Sequence, residues 1–159
     1  MSLNEELGLE TPIETVEHEC LLNIVYTGTV FYRASYRYFS KYGITDAQFN
    51  VLMQLKYSTS NSLPQNVLSK RLFVNKADMT GIIDRLEKAK YVERLADPKD
   101  RRVNLIRITK DGDKTLKQAE AGYFEAVNKL MSGLKKQEIQ QLIKSIETIR
   151  NNVKKSGLL

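Results

Sequence analysis

Apolar side chains recur at helical spacing through most of the chain. Between about Ile13 and Tyr42 the residues Val16, Cys20, Ile24, Phe31, Tyr38 and Tyr42 fall near one face, with Arg33, Arg37 and Lys41 between them, which predicts a long amphipathic helix. Its apolar positions are dense for a helix leaning on a small domain, so it is expected to pack also against a second subunit. The next helix has a marked start. Thr45 and Gln48 make a capping box with Ile44 and Phe49 as its hydrophobic staple, predicting a helix from Asp46 to about Tyr57. The polar run Ser58-Thr59-Ser60-Asn61-Ser62 reads as loop, and Pro64 fits the first turn of a short helix reaching Leu72.

Asn75 is a good N-cap for a helix in which Met79, Ile82, Ile83 and Leu86 recur at i, i+3, i+4 and i+7. Those four form its core face. The opposite face carries Lys76, Ala77, Thr80, Gly81, Asp84, Arg85 and Lys88. The period then shortens: Val92–Ala96 and Val103–Thr109 are β-prone and flank Asp97-Pro98-Lys99-Asp100-Arg101-Arg102, a hairpin with a charged tip. Thr109 can cap a long helix from Lys110 to about Met131. After Ser132-Gly133 a last helix sets Ile139, Leu142, Ile143, Ile146, Ile149 and Val153 in a near-heptad stripe that asks for a partner helix. Met1-Ser2-Leu3 is left out of this reading.

At 159 residues and 42% hydrophobic content the chain can close a core without disulfides or metal. Its longest apolar runs fall far short of the ~20 residues that span a bilayer, and its first twenty residues are acidic where a signal peptide is basic, so a cytoplasmic protein is expected. One cysteine, Cys20, and one histidine, His18, give no metal cluster and no recognisable catalytic arrangement. The expectation is therefore a binding protein without cofactors, not an enzyme. Six glutamates and no Lys or Arg lie in residues 1–20, which leaves a surplus of twelve positive charges over the remainder. Such a body suits a polyanion and equally suits a solvated basic surface.

Two short helices joined by a tight turn and followed at once by a hairpin make a winged helix-turn-helix, if the second short helix is the exposed reader. Residues 64–88 and 92–109 have that layout. A reading helix needs its apolar face anchored behind it and small or hydrogen-bonding side chains in front, as Lys76, Ala77, Thr80 and Gly81 provide, with Arg85 one turn on. Ser69, Lys70 and Lys76, with the helix N-terminus at Asn75, are candidates to hold phosphates. At the tip, Lys99, Arg101 and Arg102 are candidate minor-groove residues, with Asp97 and Asp100 placed to orient a guanidinium. An isolated string of this kind is more often a solvated turn whose Asp and Arg pair with each other; its position after the helix-turn-helix is what favours DNA.

The run Leu86-Glu87-Lys88-Ala89-Lys90-Tyr91-Val92-Glu93-Arg94, then Asp97-Pro98-Lys99-Asp100-Arg101-Arg102, then Ile108-Thr109-Lys110-Asp111-Gly112, resembles the wing of the MarR (multiple antibiotic resistance regulator) family, and the likeness extends over nearly the whole chain. The resemblance implies a mainly α fold with a small β-hairpin wing. It assigns residues 13–44 and 110–155 to a helical dimerisation region and 45–109 to the DNA-binding region, within one intertwined domain. It further implies a homodimer on a pseudo-palindromic double-stranded DNA operator, acting as a repressor, with Arg102 foremost at the minor groove. Lys90 stands where the family usually has glycine, so either it takes a positive φ at a modest steric cost or the turn differs slightly, and Lys135 stands where a Ser or Thr cap commonly opens the last helix.

Family members commonly bind small aromatic effectors, and Tyr26, Phe31, Tyr32, Tyr36, Tyr38 and Phe39 supply the first helix with aromatic side chains that suit either a pocket or a packed seam. A branch of the family senses peroxides through a first-helix cysteine bonded to tyrosines. Cys20 is one residue out of register with that branch, and Tyr26 does not follow it by four, so a buried, inert thiol is expected and redox sensing is the alternative. A winged helix serving as a protein-interaction module without specific DNA binding is the other.

Overall fold

The computed structural model describes residues 2–96 and 104–157. The expected helices form in the expected order, with one addition at the front: α1 (Leu3–Leu7), α2 (Val16–Ser40), α3 (Asp46–Lys56), α4 (Gln65–Arg71), α5 (Lys76–Lys88), α6 (Lys110–Leu130) and α7 (Lys136–Lys155). None of them, among the described residues, is long and apolar enough to cross a membrane. The chain divides into two compact units, residues 1–119 and 120–159.

In the first unit, local chemistry sets the helix ends. Thr45 and Gln48 close the capping box, with Thr45 N–H donating to Gln48 Oε1 at 2.8 Å and Gln48 N–H to Thr45 Oγ1 at 3.2 Å. Ile44 and Phe49, the staple pair, are both buried, and Phe49 packs on Phe39 of α2 with ring centroids 4.4 Å apart. Val51, Leu52 and Leu55 of α3, Leu68 of α4, and Met79, Ile83 and Leu86 of α5 lose all contact with water, and Ile82 nearly all. At about 1.5–3 kcal/mol for each large side chain withdrawn, this face outweighs any intrinsic preference of so short a helix.

The sheet departs from the expected two-stranded hairpin. Three strands, β1 (Ser62–Pro64), β2 (Val92–Ala96) and β3 (Asn104–Ile108), pair antiparallel in the order β1-β3-β2. Leu63 lies opposite Ile106, and Arg94 opposite Ile106 on the other side. The serine run before β1 is a hydrogen-bonded turn: Ser58 Oγ donates to Leu55 O at 2.7 Å, Ser60 and Ser62 hydroxyls meet at 2.8 Å, and Asn61 takes φ 52°. Pro64 ends an edge strand, where a missing N–H costs no ladder bond, so α4 begins one residue later than the proline suggests.

The amino-terminal segment left out of the sequence reading is also ordered. Ser2 and Glu5 form a reciprocal cap, and Leu3 is buried. Lys90 adopts φ 62°, the first of the two expected outcomes. Lys90 N–H reaches Glu87 O at 2.9 Å and Tyr91 N–H reaches Leu86 O at 2.9 Å, the pair of bonds that closes a helix through a left-handed residue.

Where β3 turns into α6, Thr109 caps the helix. Its Oγ1 donates to Lys90 O at 2.7 Å and accepts Gly112 N–H at 3.1 Å, while its own N–H bonds Tyr91 O at 3.0 Å. Gly112 is then forced: a Cβ there would stand 2.1 Å from Tyr91 O. Next to it Asp113 binds Lys56 of α3 at 2.6 Å and Lys117 at 3.0 Å. The bond from Lys56, then that from Lys117, holds the Asp113 carboxyl below its ordinary 3.8.

In the second unit, α7 opens at Lys135, whose N–H donates to Glu138 Oε2 at 2.6 Å. Glu138 thus supplies half a capping box without the usual hydroxyl. None of the residues of α7 is buried.

Two predictions follow from the junction at α6. Gly112→Ala must push the backbone of Tyr91 away, and is expected to cost at least about 1–3 kcal/mol, seen as a thermal midpoint lowered by several degrees. A group whose native pKa is depressed stabilises the fold above its unfolded value and loses that contribution as pH falls through the native one. Asp113→Asn is therefore expected to cost less than about 1 kcal/mol at neutral pH, the pair being partly screened by solvent. The gap between parent and variant urea midpoints should close as pH drops below the ordinary carboxylate range.

Candidate nucleic-acid interface

The outward side of α5 is kept clear by what holds its inward side. Asn75, with β-region backbone, accepts Asp78 N–H at 2.9 Å on Oδ1 and donates from Nδ2 to Asp78 Oδ2 at 2.6 Å. Its side chain is thus occupied by the cap, and what it offers a ligand is a firmly ended helix N-terminus. Lys76, Ala77 and Arg85 are exposed, and Thr80 and Gly81 are half-buried. The Arg85 guanidinium lies 3.5 Å from where a Cβ on Gly81 would stand, so the glycine leaves the arginine room to run along the helix.

Beside α5 runs an open groove of about 560 Å3, lined by Gln65, Asn66, Ser69, Lys76, Thr80, Arg94 and Asn104. Gln65 Nε2 donates to Thr80 Oγ1 at 2.8 Å, and Thr80 Oγ1 donates to Lys76 O at 2.9 Å. The first turn of α4 thereby fixes the rotamer of a side chain on α5. Ser69 Oγ is buried and has no hydrogen-bond partner among the described residues. A buried hydroxyl left without a partner costs free energy, and Ser69 is among the residues that line this groove, with Lys76.

On the sheet side, Arg94 reaches across from β2 to α5, 2.5 Å from Asp84 Oδ1 and in a shorter contact with Glu87. It bolts strand β2 to α5 and is engaged by both carboxylates. Glu93 and Arg107, opposite each other in the ladder, pair at 3.7 Å on the exposed side.

The structure therefore brings Ser69, Lys76 and Thr80 to one groove and leaves Lys70, Ala77, Gly81 and Arg85 on the adjoining surface. Asp97, Lys99, Asp100, Arg101 and Arg102 lie outside the described residues. The sequence reading missed Gln65, Asn66, Arg94 and Asn104. Gln65 and Ser69 stand at i and i+4 on α4, a signal that could have found the first. Arg94 follows Val92 by the two-residue period of a strand, which placed it on the side facing α5.

The aromatic candidates serve three different ends. Tyr26 lines a hollow of about 240 Å3 with Leu3, Glu6, Asn23, Thr27 and Val30. Tyr36 is exposed. Tyr38 donates its hydroxyl to Ala119 O at 2.6 Å and sets its ring edge-on to Phe39, a structural use. Cys20, expected to be buried, is exposed on α2, because the apolar side of that helix looks away from the core of its own unit.

A model of the MarR family matches residues 42–103. The HTH-type transcriptional repressor YetL of Bacillus subtilis is 29% identical over 109 residues, 69% of this chain and 65% of YetL, so the match spans just under two thirds of that relative. A mutant MarR from Escherichia coli, solved with operator DNA, is 25% identical with a TM-score of 0.72, covering 94% of this chain and 99% of that one. AbsC, a MarR family regulator from Streptomyces coelicolor, is 18% identical with a TM-score of 0.81 over 91% of this chain and 99% of its own, a likeness of fold. The helix-turn-helix, the wing strands and the groove between them agree with these likenesses: the chain is similar to the MarR family of transcriptional regulators, with the family model matching residues 42–103.

Proposed function

We propose that the protein is a repressor that binds a two-fold symmetric site in duplex DNA as a homodimer, working in the cytoplasm and released by a small aromatic effector. The groove formed by Ser69, Lys76 and Thr80 beside the capped N-terminus of α5 carries this reading. Its unsatisfied hydroxyl, its lysine and its helix dipole all favour a phosphate oxygen, and the small side chains of the adjoining helix face admit base edges. In this reading α5 enters the major groove, and Arg101 and Arg102 of the wing tip enter the neighbouring minor groove.

Two reading heads must be spaced about one helical turn, ~34 Å, apart, which a single chain cannot provide. Support for a second copy comes from the long helices. On α2, Val16, Leu21, Val25 and Phe31 are exposed, and on α7, Leu142, Ile143, Ile146 and Val153 are exposed. Stripes of this kind are costly to leave in water. The expected grouping of residues 13–44 with 110–155 as a dimerisation region belongs to this proposal, as does an effector acting by changing the separation of the heads.

Selection from a pool of random duplexes at low and high salt is expected to recover a palindrome. Lys76→Ala should weaken binding to all duplexes and reduce the salt slope by about one, whereas Arg101→Ala with Arg102→Ala should erase preference at the flanks of the site; unchanged enrichment in both would refute the groove-reading model. For the dimer, Ile143→Glu with Ile146→Glu is expected to give a monomer in sedimentation and to lose the palindrome while retaining salt-labile binding to single half-sites.

A further inference from the structure

We infer that Thr80 reads the 5-methyl of a thymine, and that Gln65 is the positioning residue that confines it to this task; this rests on the proposed function above. The observation is a threonine hydroxyl whose proton is already committed inside the fold. Thr80 Oγ1 donates to Lys76 O, one turn back on α5, at 2.9 Å, and accepts from Gln65 Nε2, in the first turn of α4, at 2.8 Å.

The two bonds coexist in one way only. A threonine hydroxyl has one proton and two lone pairs, and a main-chain carbonyl can only accept. The proton therefore points to Lys76 O, and Gln65 must present its amide nitrogen to the oxygen. Both side chains line the same groove, so the arrangement stands where a duplex is proposed to lie.

What is left of Thr80 decides which base it suits. Guanine N7 and O6, adenine N7 and thymine O4 are acceptors in the major groove, and each needs a proton that Thr80 has already given away. The side chain retains for a ligand its Cγ2 methyl and one lone pair. Its neighbour favours the methyl: Ala77, three residues earlier on the same helix, brings a second methyl to the same stretch of surface and is exposed. Of the four bases, thymine alone carries a methyl on its major-groove edge. An unpinned threonine could turn its proton toward a groove acceptor, and Gln65 removes that option.

The full chain and the palindrome recovered by selection supply the test. Replacing thymine by deoxyuridine, one position at a time in both half-sites, removes the 5-methyl and leaves every hydrogen-bonding group. One position is expected to weaken parent binding about fourfold per half-site, the worth of one buried methyl. Thr80→Ser keeps the hydroxyl and its two bonds but loses Cγ2, and should bind the thymine and uracil duplexes equally. Gln65→Met keeps the length of the side chain without its donor. Its salt slope should match the parent's, since no phosphate contact is removed, while the thymine-to-uracil ratio should fall below about twofold and selection should admit guanine at that position. An unchanged ratio in Gln65→Met, with or without a lowered thermal midpoint, overturns the positioning role and leaves Gln65 a strut between α4 and α5. A palindrome with no uracil-sensitive position, or one whose sensitivity survives in Thr80→Ser, overturns the thymine reading while leaving the proposed function intact. A parent chain that retains no duplex overturns the proposed function along with it.

Discussion

The burial of one face of α5 is the constraint on which the rest depends. Met79, Ile82, Ile83 and Leu86 are withdrawn from water among α3, α4 and the sheet. A helix of 13 residues is marginal alone, so its persistence comes from that face and not from the polar side chains turned outward. The outward face is consequently free of any duty to the core. It can carry Ala77, Gly81 and Arg85, small or polar side chains whose loss would cost the fold little.

Charge on the same helix is arranged to the same end. α5 carries three carboxylates, which would oppose a polyanion if left alone. Asp78 is engaged by the Asn75 cap, and Asp84 and Glu87 both meet Arg94 of the wing strand. The acids thus serve to end the helix and to bolt the wing to it, while Lys76 stays at the groove. Asp113 and Lys56 make the equivalent link between α3 and the start of α6. Exposed pairs of this sort contribute little to stability; their use here is to fix angles between elements.

Most of this was legible in the chain because it is written locally. The capping box at Thr45 and Gln48, the cap at Asn75, the four-residue core stripe of α5 and the cap at Thr109 all depend on neighbours within one turn, and each sits where periodicity placed it. Strand β1 was not legible, since three residues ending in proline have no period and pair only with Leu105, Ile106 and Arg107, more than forty positions away. The groove was half legible: Ser69, Lys76 and Thr80 announce themselves by type, but Gln65 joins them through a bond to Thr80 that spans fifteen residues. Cys20 was misread for a related reason, because an apolar stripe does not say whether it faces its own core or another surface.

The turns around the reading helix share one feature that local preference would not select. Asn61, Phe73 and Lys90, none of them glycine, take positive φ, at the entry to β1, between α4 and α5, and between α5 and β2. Asparagine tolerates that region; phenylalanine and lysine pay for it. Such residues persist where surrounding bonds over-determine the backbone, and both turns have that support, Val74 N–H to Ser69 O at one and Tyr91 N–H to Leu86 O at the other. The angle at which α5 leaves α4 and enters the wing is therefore held by main-chain bonds whatever the side chain at the turn.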